Sequence, residues 1–329
     1  MPGYIEQVMH PERYHGHGKR PPFFEGWYYK LVDPSEQHRY AVIPGIFLSH
    51  EHEKHHAFVQ VLDGQTGASA YFTYPADQFK AAEDDFEVQV GPNRFRADSL
   101  NLNLEGGELA LKGDLRFEGL SPWPVSWAAP GIMGWYGWVS FMECYHGVVS
   151  LDHTIRGALR LDGRTLDFSG GQGYIEKDWG QSFPSAWVWM QTNHFEQPGT
   201  CLTASIAVIP FLGFKFPGFI IGVWHEGKLY RLAKYTSAVV EKLAVTDDHV
   251  DWVVRDRAIR LEIRASRAEA GLLQGPSRTE MHRRVMETLK AQVSIRLTAL
   301  ENGREQEIFS GTGRNAGLEV HGDLTMLLK

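Results

Sequence analysis

The residues best suited to acid–base chemistry lie in one short stretch, 170–195, with the sequence GGQGYIEKDWGQSFPSAWVWMQTNHF. Alternating residue types predict a strand over 174–179, which places Tyr174, Glu176 and Asp178 on one face. Two carboxyls on one face of a strand can hold and transfer a proton. Paired charges at the edge of a sheet produce the same pattern, so both interpretations stay open on this stretch alone.

Aromatic residues follow the two carboxyls directly. After the break at Phe183-Pro184, a second alternating run predicts a strand with Trp187, Trp189 and Asn193 on a common face. Because an indole face attracts a cation, the two Trp side chains are candidates for contact with a charged intermediate. Packing in an ordinary core explains them equally well.

Two further carboxyls stand among aromatic residues. Glu143 lies in the aromatic-rich run 134–147, where apolar neighbours would raise the pKa of its carboxyl toward the value that a general acid needs. An ion pair with Arg or Lys at the rim of a barrel is the alternative. For Glu25, in the run 23–30, a structural ion pair is favoured over a catalytic role.

Length, charge and cysteine content exclude several classes of function. The chain of 329 residues is long for one core, so we expect two domains. A net charge of −7 argues against nucleic acid as a partner. Cys144 and Cys201 are too few for a disulfide framework, and residues 1–20 contain no apolar leader, which together predict a cytoplasmic protein.

Motifs for metals and nucleotides are weak. The histidine-rich run 50–56 could bind a metal ion, but a solvated loop is favoured there. The pattern Gly311-x-Gly313-x-x-Ala316 resembles a dinucleotide loop, yet it leaves no room for the helix and strand that such a site requires. We therefore predict neither a metal nor a cofactor.

Many short alternating runs, separated by Gly, Asp, Asn and Pro, predict an all-β fold of sandwich or barrel type with few short helices. One helix is predicted over 279–290, because apolar residues recur every four positions from Met281 to Leu289. The apolar segment 205–224 predicts two buried strands joined by a turn at 215–218, and not a membrane span.

The order of sequence signals repeats once along the chain, which suggests an internal duplication. The repeated signals are Trp27-Tyr28-Tyr29 with Trp187-Val188-Trp189, Ala41-Val42-Ile43-Pro44 with Ala207-Val208-Ile209-Pro210, and Phe168-Ser169-Gly170 with Phe309-Ser310-Gly311. We predict an extended N-terminal arm over 1–22 and two similar β domains over 23–183 and 184–329. Ligand sites favour domain interfaces, so we expect the site at the junction of the two domains.

Several of these motifs together resemble the tocopherol cyclase family, over nearly the whole chain from about residue 23 to residue 322. The motifs are Phe24-Glu25-Gly26-Trp27-Tyr28, Phe141-Met142-Glu143, Tyr174-Ile175-Glu176-Lys177-Asp178-Trp179-Gly180, Phe183-Pro184, Trp187-Val188-Trp189-Met190-Gln191-Thr192-Asn193 and Gly317-Leu318-Glu319-Val320. The family is related to carotenoid hydratases. The resemblance implies two lipocalin-like antiparallel β-barrel domains.

The resemblance also implies a cofactor-free cyclisation of a lipophilic, prenylated substrate. An acid protonates an isoprenoid double bond, aromatic faces stabilise the carbocation, and a phenol oxygen closes the ring. The acid candidates become Glu176, Asp178 and Glu143. The candidates for contact with substrate are Trp27, Trp179, Trp187 and Trp189, with Tyr174, Asn193 and Glu25 as polar neighbours.

Two other functions stay open at this stage. A non-catalytic carrier of a hydrophobic small molecule is the main alternative, because barrels of this type often only bind. A metal-dependent protein that uses the run 50–56 is the weaker one. A lipophilic substrate also leaves open a peripheral contact with a membrane.

Overall fold

A computed structural model describes residues 3–106, 109–161, 163–301 and 304–328. The described chain is nearly all-β and its sheets are antiparallel, as predicted. It divides into two compact units: Met1–Phe183 with Gly271–Val285 form unit 1, and Pro184–Ala270 with Met286–Lys329 form unit 2. The segment Gly271–Val285, which the sequence placed with the second domain, therefore belongs to unit 1.

The N-terminal segment differs from the extended arm that we predicted. It begins with α1 (Tyr4–Met9), the only α-helix among the described residues. Tyr14 and His15 further along are buried. The reason is a hydrogen bond from the His15 backbone N–H to the Glu25 carboxylate (2.8 Å), which ties the segment to the sheet of unit 1.

Unit 1 contains a twelve-stranded sheet in which the first strand pairs with the last. The strand order is β4-β3-β2-β1-β14-β12-β9-β8-β7-β6-β5, with β13 beside β12 and a separate β10–β11 pair. The strands are β1 (Phe23–Val32), β2 (Arg39–Leu48), β3 (His56–Asp63), β4 (Ser69–Pro75), β5 (Phe79–Ala81), β6 (Glu87–Val90), β7 (Asn93–Arg96), β8 (Ser99–Asn103), β9 (Leu111–Glu118), β10 (Val125–Ser126), β11 (Ala129–Pro130), β12 (Cys144–Leu161), β13 (Arg164–Asp167) and β14 (Gln172–Gly180).

One face of this sheet surrounds the main core of unit 1. Residues of that core come from β1 to β3, β6 to β9, β12 and β14, so the sheet curves around it. The central strand β14 lies between β1 and β12 and is buried on both faces from Tyr174 to Lys177. Polar side chains on β14 consequently need partners on both sides of the sheet.

Unit 2 has the same kind of strand order, β18-β17-β16-β15-β24-β23-β21-β20-β19, in a sheet where β22 also pairs β23. Its core contains the fully buried Trp252, which packs edge-on against Phe219. The strands of this sheet are β15 (Trp187–Thr192), β16 (Cys201–Phe211), β17 (Phe214–His225), β18 (Lys228–Ala233), β19 (Val239–Val245), β20 (His249–Arg255), β21 (Ile259–Ser266), β22 (Gly271–Pro276), β23 (Met281–Glu301) and β24 (Arg304–His321). Of these, β22 and the start of β23 fall in the segment Gly271–Val285 and so belong to unit 1.

Short 3₁₀ turns complete both units. They span His52–Lys54, Ala76–Gln78, Gly134–Trp138, Lys234–Thr236 and Leu324–Met326. The first of them lies inside the histidine-rich run, and so the predicted loop there is partly a 3₁₀ turn. No helix in the described ranges is long and apolar enough to cross a membrane.

The predicted helix over 279–290 is wrong, because these residues belong to strand β23. A spacing of four residues fits one face of a helix and also one face of a strand, since four is a multiple of two. The strand alternation becomes clear only when the window is extended, as Val285 and Leu289 are followed by buried residues at 291, 293, 295 and 297.

The predicted turn at 215–218 is also misplaced. The hairpin of β16 and β17 turns at Leu212-Gly213, and Pro217 lies within the paired strand opposite Val208. Leu212 and Gly213 have positive φ angles of 47° and 85°. The Pro and Gly of residues 215–218 indicated that a hairpin is present, but they lie within its second strand, and the turn itself is formed by Leu212 and Gly213.

Two glycines that face each other on β1 and β2 allow the packing of this sheet to be tested. Gly45 of β2 lies opposite Gly26 of β1, and a Cβ atom on Gly45 would lie 2.5 Å from the Phe58 ring and 2.6 Å from the Glu25 carbonyl oxygen. We expect Gly45→Ala to lower the free energy of unfolding by about 1–3 kcal/mol, because backbone cannot yield easily there. Urea denaturation followed by tryptophan fluorescence measures this loss.

The matched control is Gly26→Ala on the opposing strand. Its Cβ atom would make only ordinary contacts, the nearest at 3.5 Å to the Pro44 carbonyl oxygen. We expect a change within about 0.5 kcal/mol, because a surface-like substitution without a clash has a small effect. Equal losses in the two variants would contradict the packing described here.

Candidate active site

The candidate site is built on one face of β14. Tyr174, Glu176 and Asp178 share this face, as the alternation predicts, and antiparallel pairing brings side chains from both neighbouring strands beside them. Tyr28 of β1 lies opposite Glu176, and His146 of β12 lies opposite Asp178. All of these residues belong to unit 1.

His146 is held between the two carboxylates. Its Nδ1 donates a hydrogen bond to Asp178 Oδ1 at 2.9 Å, and its Nε2 lies 3.5 Å from Glu176 Oε2. The Tyr174 hydroxyl donates a short hydrogen bond to the same Glu176 oxygen. These four side chains form a continuous chain of polar contacts from Asp178 to Tyr174, which we call the histidine network.

The surroundings of His146 keep its imidazole charged. Burial alone would lower the pKa, but Glu176 and Asp178 outweigh it and raise the pKa of His146 to about 9. At neutral pH the ring is therefore an imidazolium, and the network stores one transferable proton beside two carboxylates.

The same three groups could also hold a metal ion. Ligand atoms of His146, Glu176 and Asp178 lie within 4.8 Å of one another, the one such group found in the described residues. Imidazole and carboxylates suit a divalent transition metal. A proton on His146 serves the same electrostatic purpose, since it places a positive charge between the two acids.

The histidine-rich run 50–56 forms no such group in the described part of the chain. His55 Nε2 bonds to the Ser49 carbonyl oxygen at 2.6 Å, and His56 bonds to the Lys54 carbonyl oxygen and the Tyr71 hydroxyl. These contacts give His55 and His56 partners within the loop and the adjoining strands.

The opposite face of β14 carries a second buried charge pair. The Lys177 ammonium donates short hydrogen bonds to Glu25 Oε1 and to the Arg13 carbonyl oxygen, and both charged side chains are fully buried. Burial would raise the pKa of Glu25, but Lys177 and His15 outweigh it and lower the pKa. Glu25 is thus the structural ion pair that the sequence favoured.

Two of the predicted aromatic contacts surround this charge pair. Lys177 Nζ lies 4.7 Å from the Trp27 ring centroid and 4.6 Å from the Trp179 ring centroid. The rings predicted to meet a substrate cation therefore meet a cation of the protein itself. Trp27 has no accessible surface, and its indole N–H donates to the Glu12 carbonyl oxygen at 3.1 Å, so direct contact with substrate does not fit Trp27.

Trp179 lies in a stack of three rings. His15 stacks on it at 4.3 Å and Tyr145 at 5.3 Å, with interplanar angles of 12° and 10°. The stack lines a cavity of about 140 Å³, which His146 and Met142 also line. A cavity of this size accepts one ring-sized apolar group. Of the histidine network, His146 is the member that lines this cavity.

Glu143 is not a member of this network. Its Oε1 accepts a hydrogen bond from Arg278 Nη2 at 3.1 Å. The apolar environment that we expected from the surrounding aromatic residues is therefore replaced by an ion pair, which is the alternative stated above. The cause is the segment Gly271–Val285, which supplies the arginine from far along the chain.

The predicted residues of unit 2 lie on β15 and just after it. Trp187 donates its indole N–H to Glu319 Oε2 at 2.6 Å and packs against the His321 ring at 4.2 Å. Trp189 is buried and lies opposite Glu319, and Asn193 Oδ1 accepts from His194 Nδ1 at 2.9 Å. Their role toward a substrate stays a prediction.

Sequence reasoning missed two charged residues of these clusters, His146 and Lys177. It also did not single out Lys30, which is fully buried and lies opposite Tyr174. Lys177 stands inside the motif, and its position between Ile175 and Trp179 on the same face of the strand was the available signal. For His146 the signal was weaker, since its partner strand is known only from the register.

Comparisons with known proteins agree with this architecture. A family described as tocopherol cyclase-like matches residues 118–322, more than half of the chain. A probable chloroplastic tocopherol cyclase from Oryza sativa subsp. japonica is 23% identical over 94% of this chain and 77% of its own length. A chloroplastic tocopherol cyclase from Zea mays is 24% identical over 57% of this chain and 41% of its own length.

Solved structures share the fold at low identity. Kievitone hydratase from Nectria haematococca has a TM-score of 0.51 and 12% identity, covering 94% of both chains. CghA has a TM-score of 0.56 and 13% identity, covering 92% of this chain and 89% of its own. These likenesses show that the fold is shared and say nothing about the substrate of this chain.

The charge on His146 can be measured directly. We expect its imidazole to titrate near pH 9, because the two carboxylates favour the protonated form. Burial without an acidic partner lowers the pKa of His153 to about 3, so that ring should stay neutral throughout. Nitrogen-15 NMR of histidine-labelled protein between pH 5 and pH 10 distinguishes the two. Titration of His146 near its ordinary value of about 6.5 would contradict the network.

The charge pair on the other face should matter for stability. Glu25→Gln leaves the Lys177 ammonium buried without its counter-ion, so we expect the free energy of unfolding to fall by about 3–5 kcal/mol. Urea denaturation measures this change. The control is Glu241→Gln, in an exposed pair with Arg255 and Arg260, for which we expect a loss below about 1 kcal/mol. Equal stability of Glu25→Gln and wild type would show that the buried pair is not formed.

Proposed function

We propose, since this chain belongs to the tocopherol cyclase-like family, that it is a cyclase- or hydratase-type enzyme in which His146 supplies the proton that starts the reaction. The substrate class is a lipophilic molecule with an isoprenoid double bond, such as a prenylated phenol. The observation that carries the proposal is the charged imidazole between Glu176 and Asp178, at the edge of a cavity with aromatic walls.

Proton transfer from His146 would move a positive charge from the imidazolium to the substrate, and the total charge of the site would stay the same. As the imidazolium gives its proton to the double bond, a new C–H bond forms and the tertiary carbon becomes the cation. Glu176 and Asp178 remain negative throughout, so the electrostatic stabilisation present before transfer is also present afterwards. Their positions are fixed by the Tyr174 hydrogen bond and by the strand pairing, which limits reorganisation.

The second half of the reaction decides between the two outcomes. In a cyclisation, the phenol oxygen bonds to the cationic carbon, and its proton returns to the neutral imidazole, so product and substrate are isomers. In a hydration, water adds in place of the phenol and the product gains one water molecule. The lining of the cavity is mixed, with Met142 and Trp179 apolar and Lys19, Arg20 and Gln181 polar, so the lining by itself favours neither nucleophile.

Asp178 and Glu176 have different tasks in this scheme. Asp178 accepts from Nδ1 and so orients the ring with Nε2 toward Glu176, which is the arrangement of a positioning residue. Glu176 lies beside Nε2, at 3.5 Å, and its negative charge favours the protonated ring before transfer. Glu143, already paired with Arg278, has no part in the chemistry.

We propose further that both units are lipocalin-like barrels that arose by duplication. The supporting observation is the shared strand order, in which the first strand of each unit pairs with its last strand and the next three follow in a meander. A cytoplasmic location is likewise our proposal, and the rice and maize relatives carry the description chloroplastic.

Substitution of His146 tests the proposal most simply. With a prenylated hydroquinone as substrate, we expect His146→Gln to lower kcat by about 10²–10⁴, the usual contribution of a positioned acid. Mass spectrometry of the reaction in D₂O reports the step, because the ring-closed product should carry one deuterium on carbon. Glu143→Gln is the control and should keep wild-type activity.

The pH dependence supplies a second measure of the same step. Because the protonated form of His146 is active, kcat should fall as the pH rises through about 9. Asp178→Asn removes one carboxylate and should move this fall to lower pH. Full activity of His146→Gln would remove the assignment, and tight binding of every lipophilic substrate with no conversion would favour a carrier.

A further inference from the structure

The hairpin of β16 and β17 ends in exposed apolar side chains. Phe214 is 79% exposed and Leu212 is 72% exposed, the two highest values for large hydrophobic residues in the described part of the chain. Apolar residues that lie singly on a surface need no explanation, but adjacent ones at a projecting turn do.

The backbone of the turn makes Leu212 an unexpected choice. Phe211 lies opposite Phe214, so the loop has two residues, and both have positive φ angles, as in a type I′ turn. Asn is preferred at the first of these positions, because a branched apolar side chain is strained there. A Cβ atom on Gly213 would find nothing within 4 Å, so no packing demands a hydrophobic turn. Folding alone therefore does not account for Leu212.

Register adds further apolar residues behind the tip. Ile209 pairs with Phe216 on the same face as the Phe211–Phe214 pair, and the Phe211 and Phe216 rings contact edge-on at 6.4 Å. The face continues through Ala207 to Trp187 of β15, which lies opposite it. Within unit 2, an apolar strip thus runs from the tip to the aromatic residues of β15.

The hairpin carries positive charge and no acidic residue. Between Cys201 and His225 the chain contains no Asp or Glu, and Lys215 is its only Lys or Arg, although the whole protein has 40 acidic residues. Lys215 is exposed and lies on the opposite face of the strand from Phe214. A long basic side chain next to aromatic residues can reach the charged headgroups while the rings enter the acyl boundary.

We propose that this hairpin tip inserts into the surface of a bilayer that contains anionic lipid. Leu212 and Phe214 supply the buried apolar area, and Lys215 complements the lipid charge. The inference rests on the proposed function, because a prenylated substrate dissolves in such a bilayer and the apolar strip offers it a route toward Trp187. The protein then takes its substrate from the membrane surface without crossing it.

Vesicle binding tests this proposal without any assay of turnover. Co-sedimentation with phosphatidylcholine vesicles containing phosphatidylglycerol should show binding of the wild type. We expect the double variant Leu212→Asn, Phe214→Ser to bind at least about tenfold more weakly. Burial of each of these apolar side chains in the bilayer contributes a free energy of binding that corresponds to roughly that factor. Lys215→Gln should reduce binding to these vesicles more than to pure phosphatidylcholine.

Matched controls separate binding from folding. Leu212→Asn suits the turn, so the double variant should unfold at the same urea concentration as the wild type or higher. Met286→Gln, at another exposed apolar residue of unit 2, should leave vesicle binding unchanged. Equal binding by the double variant and the wild type would overturn the proposal. So would loss of a dimer in the double variant with no vesicle binding by the wild type, since the tip would then contact a second copy.

A turnover assay in detergent keeps the two proposals apart. With substrate dissolved in micelles, the double variant should retain wild-type kcat, because the hairpin is not part of the histidine network. If the wild type binds vesicles but neither the wild type nor any variant converts substrate, the enzymatic proposal fails. The membrane contact is then retained as a property of a carrier.

Discussion

The structure depends on a constraint imposed by strand β14, which is buried on both faces and charged on both. A buried charge without a partner costs several kcal/mol, so each charged side chain of β14 must be neutralised by a neighbouring strand or by the N-terminal segment. Lys177 is neutralised by Glu25 and enclosed by two indoles. Glu176 and Asp178 both lie against the imidazolium of His146.

The two charge clusters on β14 differ in how well they can release a proton. Lys177 and Glu25 balance each other within a closed environment, where the ammonium is also in contact with the Arg13 carbonyl oxygen and His15 Nδ1. In the histidine network, by contrast, one imidazole lies between two carboxylates, and His146 is also one of the residues that line the cavity. The first cluster therefore stabilises the fold and orders residues 10–16 against the sheet. The second is suited to transfer.

Much of the fold followed from the sequence, because strand alternation and the pattern of turn residues are local. The face shared by Tyr174, Glu176 and Asp178 was predicted from alternation alone. The helix over 279–290 was wrong because spacing by four residues fits both periods. For Glu143 the sequence left two environments open, and it could not choose the ion pair because Arg278 lies 135 positions away along the chain. His146 was missed for the same reason: register between β12 and β14, which includes irregular pairing, is set by tertiary structure and not by local sequence.

The central claim is that a proton sits on His146 between two ionised carboxylates at neutral pH. Neutron crystallography of deuterium-exchanged protein at pH 7 locates that proton. The account predicts deuterium on both Nδ1 and Nε2 of His146, none on Glu176 or Asp178, and one on the Tyr174 hydroxyl directed at Glu176. A neutral imidazole with a deuterium on either carboxyl group would contradict it.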